Sequence, residues 1–217
     1  MRNRGIIVIF LLPLVLSGCS LFPPPGGDGL PSGGAVLYSE DFGSGAESRW
    51  PIVDVVAAKS WIENGQYHLL RKEGQSFSWA HDKGLQQFWN FRYDADLSQV
   101  GGPDNNGYGL VFRATDRGFY EFILSGTGYV RLLKLLDNET SVLLPWTKCP
   151  AVRTGEASNH VAIVCDGSQF SFYVNGEHVT IASDTSFAIG KVGVIVRDFG
   201  EPNVHITFDN LVVRELN

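Results

Sequence analysis

The sequence lacks any long stretch with the apolar period of a helix, which disfavours an α/β fold. Charged residues are also scarce, at 18%, whereas aromatic residues make up 12%. That composition is typical of a packed β-protein rather than a disordered chain. Acidic residues outnumber basic ones, 23 to 17, for a formal net charge of −6. Because an acidic surface repels phosphate backbones, we expect no nucleic-acid partner.

Motifs of common catalytic sites are missing as well. There is no Ser-His-Asp arrangement around a nucleophile turn and no glycine-rich phosphate loop. The histidines show no metal-ligand spacing, so we interpret them as surface or strand-end residues. They are His68, His81, His160, His178 and His205.

The N-terminus has the pattern of an export signal. Arg2 and Arg4 precede a short apolar segment, residues 6–16, which is too short to span a bilayer. Leu16-Ser17-Gly18-Cys19 follows and resembles the bacterial lipobox, whose cysteine is lipidated and becomes the new N-terminus. We therefore predict a lipoprotein signal peptide at 1–18 and a membrane partner reached through lipid on Cys19.

Residues 19–34 are dominated by proline and glycine and predict a tether rather than a folded segment. The expected location is the bacterial cell envelope, on a membrane outside the cytoplasm. The remaining residues, 35–217, are predicted to form one β-domain.

The clearest pattern lies in residues 107–135, where three runs rich in aromatic and branched residues are separated by turns. This spacing predicts three consecutive antiparallel strands. Apolar residues recur at every second position and predict one core-facing side. They are Leu110, Phe112, Tyr120, Phe122, Leu124, Val130 and Leu132. The opposite side is predicted to carry Arg113, Glu121, Tyr129 and Arg131.

About a dozen strands are indicated in all. Residues 161–166 and 169–175, joined by Asp166-Gly167-Ser168, predict a hairpin. In the last strand the apolar parity changes after Phe208, which predicts a β-bulge at Asp209-Asn210.

Several short motifs together resemble one family. They are Glu40-Asp41-Phe42, Trp50, residues 107–113, residues 119–122, residues 128–131, residues 171–176 and Phe208-Asp209-Asn210. The pattern is similar to concanavalin A-like lectin/glucanase domains, with the 3-keto-disaccharide hydrolase and laminin G-like groups nearest. The resemblance implies an all-β, two-sheet antiparallel jelly-roll sandwich whose concave face often binds sugars. It also implies that the first and last strands lie side by side.

The resemblance does not extend to a catalytic motif. Family 16 glycoside hydrolases carry Glu-x-Asp-x-x-Glu along one strand, and no such run occurs here. The nearest is Asp94-Ala95-Asp96, whose carboxylates we expect on opposite faces. We therefore assign no catalytic residue and favour a non-catalytic carbohydrate-binding or sensing protein. A glycoside hydrolase with an atypical carboxylate arrangement and a structural envelope protein remain the alternatives.

The predicted ligand face combines Arg113, Glu121 and Arg131 with Ser171 and Tyr173 from the hairpin. Tyr129 and Trp146 are expected near its rim, and this set would suit sugar hydroxyls or an acidic sugar. The alternative is a solvated cross-strand ladder of charges. Among the tryptophans, Trp79 and Trp146 are expected to be exposed, whereas Trp50 and Trp61 are expected in the core.

Two further hypotheses concern stability. Cys149 and Cys165 are predicted to form a disulfide in the oxidising exterior, with Cys165 as a small core residue as the alternative. No cofactor is indicated apart from a structural calcium, hypothesised at Glu40, Asp41 and Asp209. The alternative there is that Asp209 only satisfies backbone donors at the bulge.

Overall fold

A computed structural model describes residues 31–73 and 76–216. The predicted signal peptide and Cys19 lie outside the described residues. The described chain is almost entirely β-structure, with one short helix, α1 (Ala46–Arg49). The strands are β1 (Val36–Glu40), β2 (Val53–Asp54), β3 (Ala58–Glu63), β4 (Gln66–Arg71), β5 (Phe77–Ala80), β6 (Phe91–Gly101), β7 (Gly107–Thr115), β8 (Gly118–Ser125), β9 (Tyr129–Leu136), β10 (Glu139–Lys148), β11 (Ser158–Asp166), β12 (Gln169–Val174), β13 (Glu177–Ser183), β14 (Lys191–Arg197) and β15 (Val204–Glu215). No helix in these ranges is long and apolar enough to cross a membrane.

The strands form two antiparallel sheets. The nine-stranded sheet has the order β13-β12-β11-β6-β15-β4-β3-β2, with β1 beside β15. The six-stranded sheet has the order β10-β9-β8-β7-β14-β5. The predicted all-β, two-sheet antiparallel sandwich is confirmed.

The main core lies between the sheets and follows the alternation of the sequence. All seven residues predicted for the inner side of the β7–β9 meander are buried in it. From the other sheet, Phe91, Tyr93, Phe170, Phe172 and Phe208 face them. The rings of Phe122 and Phe172 stack across the sandwich with centroids 4.5 Å apart. Period-two patterning therefore fixes which side of each of these strands is buried.

The pairing of the first strand with the last and the position of the bulge are also as predicted. Strand β1 pairs with β15, with Glu40 opposite Leu211. The register between β15 and β6 shifts between Asp209 and Val212, and Asn210 adopts a positive φ of 52°. The extra residue lets Phe208 and Leu211 both face the core despite their opposite parity.

The segment before β1 crosses the outer side of the nine-stranded sheet. Arg92 donates from Nη1 to the Pro31 carbonyl oxygen at 2.5 Å, and Gly34 N donates to the Glu215 carbonyl oxygen at 2.8 Å. Gly33 lies so close to the Arg214 side chain that a Cβ there would be 2.7 Å from it. These contacts fix where the chain enters the sandwich.

The predicted disulfide is not formed. Cys149 and Cys165 are both buried free thiols. Cys165 lies on β11 of the nine-stranded sheet, whereas Cys149 directly follows β10 of the six-stranded sheet. Burial raises the pKa of the Cys165 thiol to about 12. Cys165 is thus the small core residue of the alternative interpretation.

The carboxylates proposed for calcium have other partners. Glu40 accepts hydrogen bonds from Phe42 N at 2.9 Å and Trp50 Nε1 at 3.2 Å and pairs with Arg49. Asp209 accepts from Asn210 N at 2.7 Å. Within residues 31–73 and 76–216 no group of three or more His, Cys, Asp or Glu residues is arranged to hold a metal. Asp209 caps the bulge, as the alternative proposed.

Candidate functional site

The outer face of the six-stranded sheet has an apolar cluster of its own. A sheet with one sandwiched face normally alternates apolar inward with polar outward residues. Here the outward positions are also largely apolar, and side chains from the edge strands cover them. The buried members are Val111, Ala114, Phe119, Ile123, Leu133 and Ile195, with Phe77, Trp79, Leu135 and Trp146 packed against them. We call this surface the aromatic face.

A charged pair lies inside the aromatic face. Glu121 on β8 is 0% exposed. Arg197 on β14 donates from Nε to both carboxylate oxygens, at 2.9 and 3.0 Å, and from Nη2 at 2.5 Å. Burial raises the pKa of Glu121, and Arg197 opposes that rise without cancelling it. The Arg197 guanidinium also lies 4.5 Å from the Phe77 ring centroid.

Glycine residues on β7 allow Arg197 on β14 to reach across that strand to Glu121 on β8. Residues 107 and 109 on β7 lie between β14 and β8 and carry no side chain that could block Arg197. A Cβ at Gly109 would lie 2.0 Å from the Phe122 carbonyl oxygen. The close backbone approach therefore requires glycine at this position.

Three of the predicted ligand residues line the β9–β10 side of the same face. The Arg131 guanidinium lies 5.7 Å from the Trp146 ring centroid, and Trp146 also meets Phe199 edge-on at 5.8 Å. Tyr129 is exposed, with Lys148 Nζ 4.8 Å from its ring centroid. Glu121, Arg131, Tyr129 and Trp146 therefore do share one face, as predicted.

A cleft opens beside Trp79 at one end of the aromatic face. Trp79 packs between His81 and Phe119, with both ring centroids 5.2 Å away. The cleft has a volume of about 300 Å³. Its lining combines the Trp79 ring with polar groups that donate and accept hydrogen bonds, namely His81, Gln87, Thr115, Asp116 and Lys191. An aromatic wall with a few convergent polar groups is the usual composition of a small-molecule site.

The prediction that Arg113 shares this face is wrong. The β7–β8 register shifts between Phe112 and Thr115, and Arg113 has a positive φ of 49°. This bulge turns the side chain toward the interior, where its guanidinium lies 5.0 Å from the Phe170 ring centroid. An irregularity in one strand thus moves Arg113 to the opposite side from Glu121.

Ser171 and Tyr173 are also misplaced in the prediction. Both lie on β12, which belongs to the nine-stranded sheet, and they point away from the core that holds Phe170 and Phe172. Their outward side is therefore the other surface of the sandwich. They cannot form one site with Glu121.

The expectation that Asp94 and Asp96 point to opposite faces is wrong, because residues two apart in a strand share a face. His160 bridges them, with Nδ1 2.8 Å from Asp96 Oδ1 and Nε2 3.3 Å from Asp94 Oδ1. Burial alone would raise the pKa of Asp94, but hydrogen bonds from His160 and Arg92 hold it below its usual range. The hydrogen bond to Asp94 raises the pKa of His160.

A second aromatic group lies on the outer surface of the nine-stranded sheet. Trp61 stacks on His68 with centroids 4.7 Å apart and contacts His205 at 5.0 Å. Trp61 is therefore half-buried on the surface and not a core residue as expected, whereas Trp50 is buried in the core.

No protein-family model matches the sequence, and no curated protein matches it. Solved structures do. Carbohydrate-binding module CBM66 from Bacillus subtilis aligns with a TM-score of 0.63 and 18% identity over 76% of this chain and 95% of that chain. The fold is that of the concanavalin A-like sandwiches. A galectin-like protein of unknown function from Bacillus subtilis has a TM-score of 0.64 at 12% identity, covering 86% of this chain and 98% of its own. Bacillus licheniformis β-glucanase has a TM-score of 0.62 at 9% identity, covering 84% and 99%.

Sequence reasoning missed several residues of the aromatic face. Arg197 is 76 positions from Glu121, and no local pattern joins them. Of the residues that line the cleft, the sequence predicts only Trp79 as an exposed aromatic ring, and it places His81 at the surface or a strand end with no assigned role. Thr115 and Asp116 lie in or after the bulged end of β7, where simple alternation no longer applies.

Proposed function

We propose that this chain is a lipid-anchored, non-catalytic carbohydrate-binding protein that holds its ligand on the aromatic face, with the cleft beside Trp79 as the central subsite. The observation that carries the proposal is the composition of that cleft. The Trp79 ring offers a flat apolar surface for the C–H face of a sugar ring. His81, Gln87, Thr115, Asp116 and Lys191 surround it with donors and acceptors for hydroxyl groups.

The neighbouring folds support this proposal without deciding it, because fold and function are separable. One of the structures described above is named a carbohydrate-binding module, and another a β-glucanase. Both names refer to carbohydrate ligands or substrates. The composition of the cleft beside Trp79 points the same way for this chain.

Catalysis is less well supported than binding. A glycosidase of the common type needs two carboxylates flanking the scissile bond. On the aromatic face Glu121 is fully buried and held bidentately by Arg197, so it is not presented to a substrate. On the other sheet, Asp94 and Asp96 are both tied to His160. Hydrolysis therefore remains the second candidate.

The binding test uses the full chain in detergent on an array of neutral and acidic bacterial polysaccharide fragments. For any glycan bound, Trp79→Ala should weaken binding about 30-fold or more, the usual effect of removing a central aromatic anchor. Trp61→Ala is the matched control, because it removes an aromatic ring from the outer surface of the other sheet. Equal binding by Trp79→Ala and wild type would contradict the proposed site. Release of shortened sugar products would instead favour the hydrolase.

The anchoring part of the proposal rests on the lipobox-like sequence that ends at Cys19. Cys19→Ala should accumulate as unprocessed precursor, whereas Ser20→Ala should be processed normally. The measurement is electrophoretic size together with partition between membrane and soluble fractions. A Cys19→Ala protein with the mature size and an unchanged membrane fraction would refute lipidation.

A further inference from the structure

A second pocket lies at one end of the sandwich and uses none of the side chains that line the Trp79 cleft. Its volume is about 180 Å³. The loop before β6 contributes Trp89, the bulge of β7 contributes Arg113, and the segment between β13 and β14 contributes Phe187. Trp89 is 58% exposed, which is unusual for a side chain of this size.

Arg113 carries an unpaired charge at this pocket. Its side chain is 1% exposed, and it forms no ion pair with any described residue. Nη1 donates to the Phe187 carbonyl oxygen at 2.9 Å and Nη2 to the Trp89 carbonyl oxygen at 3.0 Å. Nε has no partner. Buried charges in proteins are normally paired, so a guanidinium held by two neutral carbonyls and the face of the Phe170 ring lacks a counterion.

The carboxylate in the pocket lining, Asp184, does not supply that counterion. Asp184 accepts hydrogen bonds from Lys134 Nζ at 2.7 Å and from the Tyr120 hydroxyl at 2.5 Å. Despite partial burial, which would raise it, these partners hold the pKa of Asp184 well below its usual range. Lys134 therefore neutralises Asp184, and no described carboxylate pairs with Arg113, so its charge is left without a counterion at the pocket.

The backbone adds a second sign of specialisation. Arg113 is a non-glycine residue with φ of 49°, a conformation that costs free energy and persists only when the surroundings enforce it. A Cβ on Gly190 would lie 2.3 Å from the Arg113 carbonyl carbon, so the neighbouring segment packs directly against this backbone and requires glycine there. The fold thus holds this guanidinium against the carbonyls of the two aromatic residues that wall the pocket.

We propose that this pocket is a second binding site, for a ring-shaped ligand that carries a carboxylate, of the uronic acid class. The ligand ring would lie on Trp89, and its carboxylate would provide the counterion that Arg113 lacks. The site is independent of the proposed cleft beside Trp79, because the two share no side chain. Either can fail without the other.

The test compares glucuronate with glucose, against the full chain in detergent. The two sugars differ only at C6, where a carboxylate in glucuronate replaces the hydroxymethyl group of glucose. Isothermal titration calorimetry and the indole N–H resonance of Trp89 report binding. We expect saturable glucuronate binding, at least about tenfold tighter than glucose, as a charge-assisted hydrogen bond predicts. Trp89→Ala should weaken it by at least about tenfold, and Trp79→Ala should leave it unchanged.

Arg113→Gln tests the charge directly and should abolish the preference for glucuronate over glucose. Because Arg113 is buried, this variant could fail to fold, and the exposed Trp89 variant then decides. Absence of saturable glucuronate binding to the wild type, equal affinity for glucose, or unchanged binding by Trp89→Ala would each overturn the proposal.

Discussion

Removal of Arg197 should reveal how strongly the charged pair supports the aromatic face. Glu121 is fully buried, and the Arg197 side chain is only 13% exposed. In Arg197→Ala the Glu121 carboxylate would stay buried without its bidentate partner. Breaking a buried pair in this way costs about 3–5 kcal/mol. For a domain of this size that corresponds to a fall in melting temperature of about 6–20 °C.

The pH dependence of that loss gives a sharper test than its size. Burial already raises the pKa of Glu121, and loss of Arg197 would raise it further. The folded variant would then hold a proton on Glu121 more readily than the unfolded chain, whose value is about 4.3. Its stability should therefore fall as the pH rises from that value through the folded pKa. Thermal denaturation at pH 5 and pH 8 should show the larger deficit at pH 8.

The chain offers a matched control and a rescue. Arg117 pairs with Asp137, but their side chains are 63% and 56% exposed. Arg117→Ala should therefore leave the melting temperature nearly unchanged, because solvent screens an exposed ion pair. The double variant Glu121→Leu with Arg197→Leu should recover much of the lost stability, because apolar residues can replace a buried pair. If Arg197→Ala is no more destabilising than Arg117→Ala, the assigned role of the pair is wrong.

Two further outcomes can be checked on the same protein. His160 gains its raised pKa from Asp94 and Asp96, so its stabilising contribution is present below about pH 6.5 and lost as the pH rises through the folded pKa. His160→Gln should lower the melting temperature at pH 6 but not at pH 9. The loss in free energy of unfolding should be under about 1 kcal/mol, because the site is partly exposed. A loss that does not depend on pH would argue against this role for His160. Alkylation of unreduced, denatured protein should label both Cys149 and Cys165, whereas unlabelled thiols would restore the disulfide hypothesis.

Much of the fold could be predicted because burial follows local alternation. The meander between residues 107 and 135 places every predicted core residue inside, and the parity change after Phe208 correctly locates the bulge. Both inferences need only neighbours along one strand. Because side chains alternate along a strand, a period of two in the sequence shows directly which residues lie on one side of the sheet.

The candidate site could be predicted only in part, because alternation shows which side of a strand is exposed but not which sheet the strand joins. Tyr173 has the outward parity that was assigned to it, but strand order places it on the other surface of the sandwich. A single bulge turns the Arg113 side chain to the side of the sheet opposite to the one that alternation predicts. The pairing of Glu121 with Arg197 needs β14 beside β7, a long-range contact that periodicity does not encode.

The entry of the chain makes the two surfaces of the sandwich inequivalent. Residues 31–34 cross the outer side of the nine-stranded sheet, held by Arg92 and by the backbone of Glu215. An anchor on Cys19 would draw that side toward the membrane and turn the aromatic face away from it. The surface that carries Trp61 would then lie in the narrow space above the lipids, where large polysaccharides have least access.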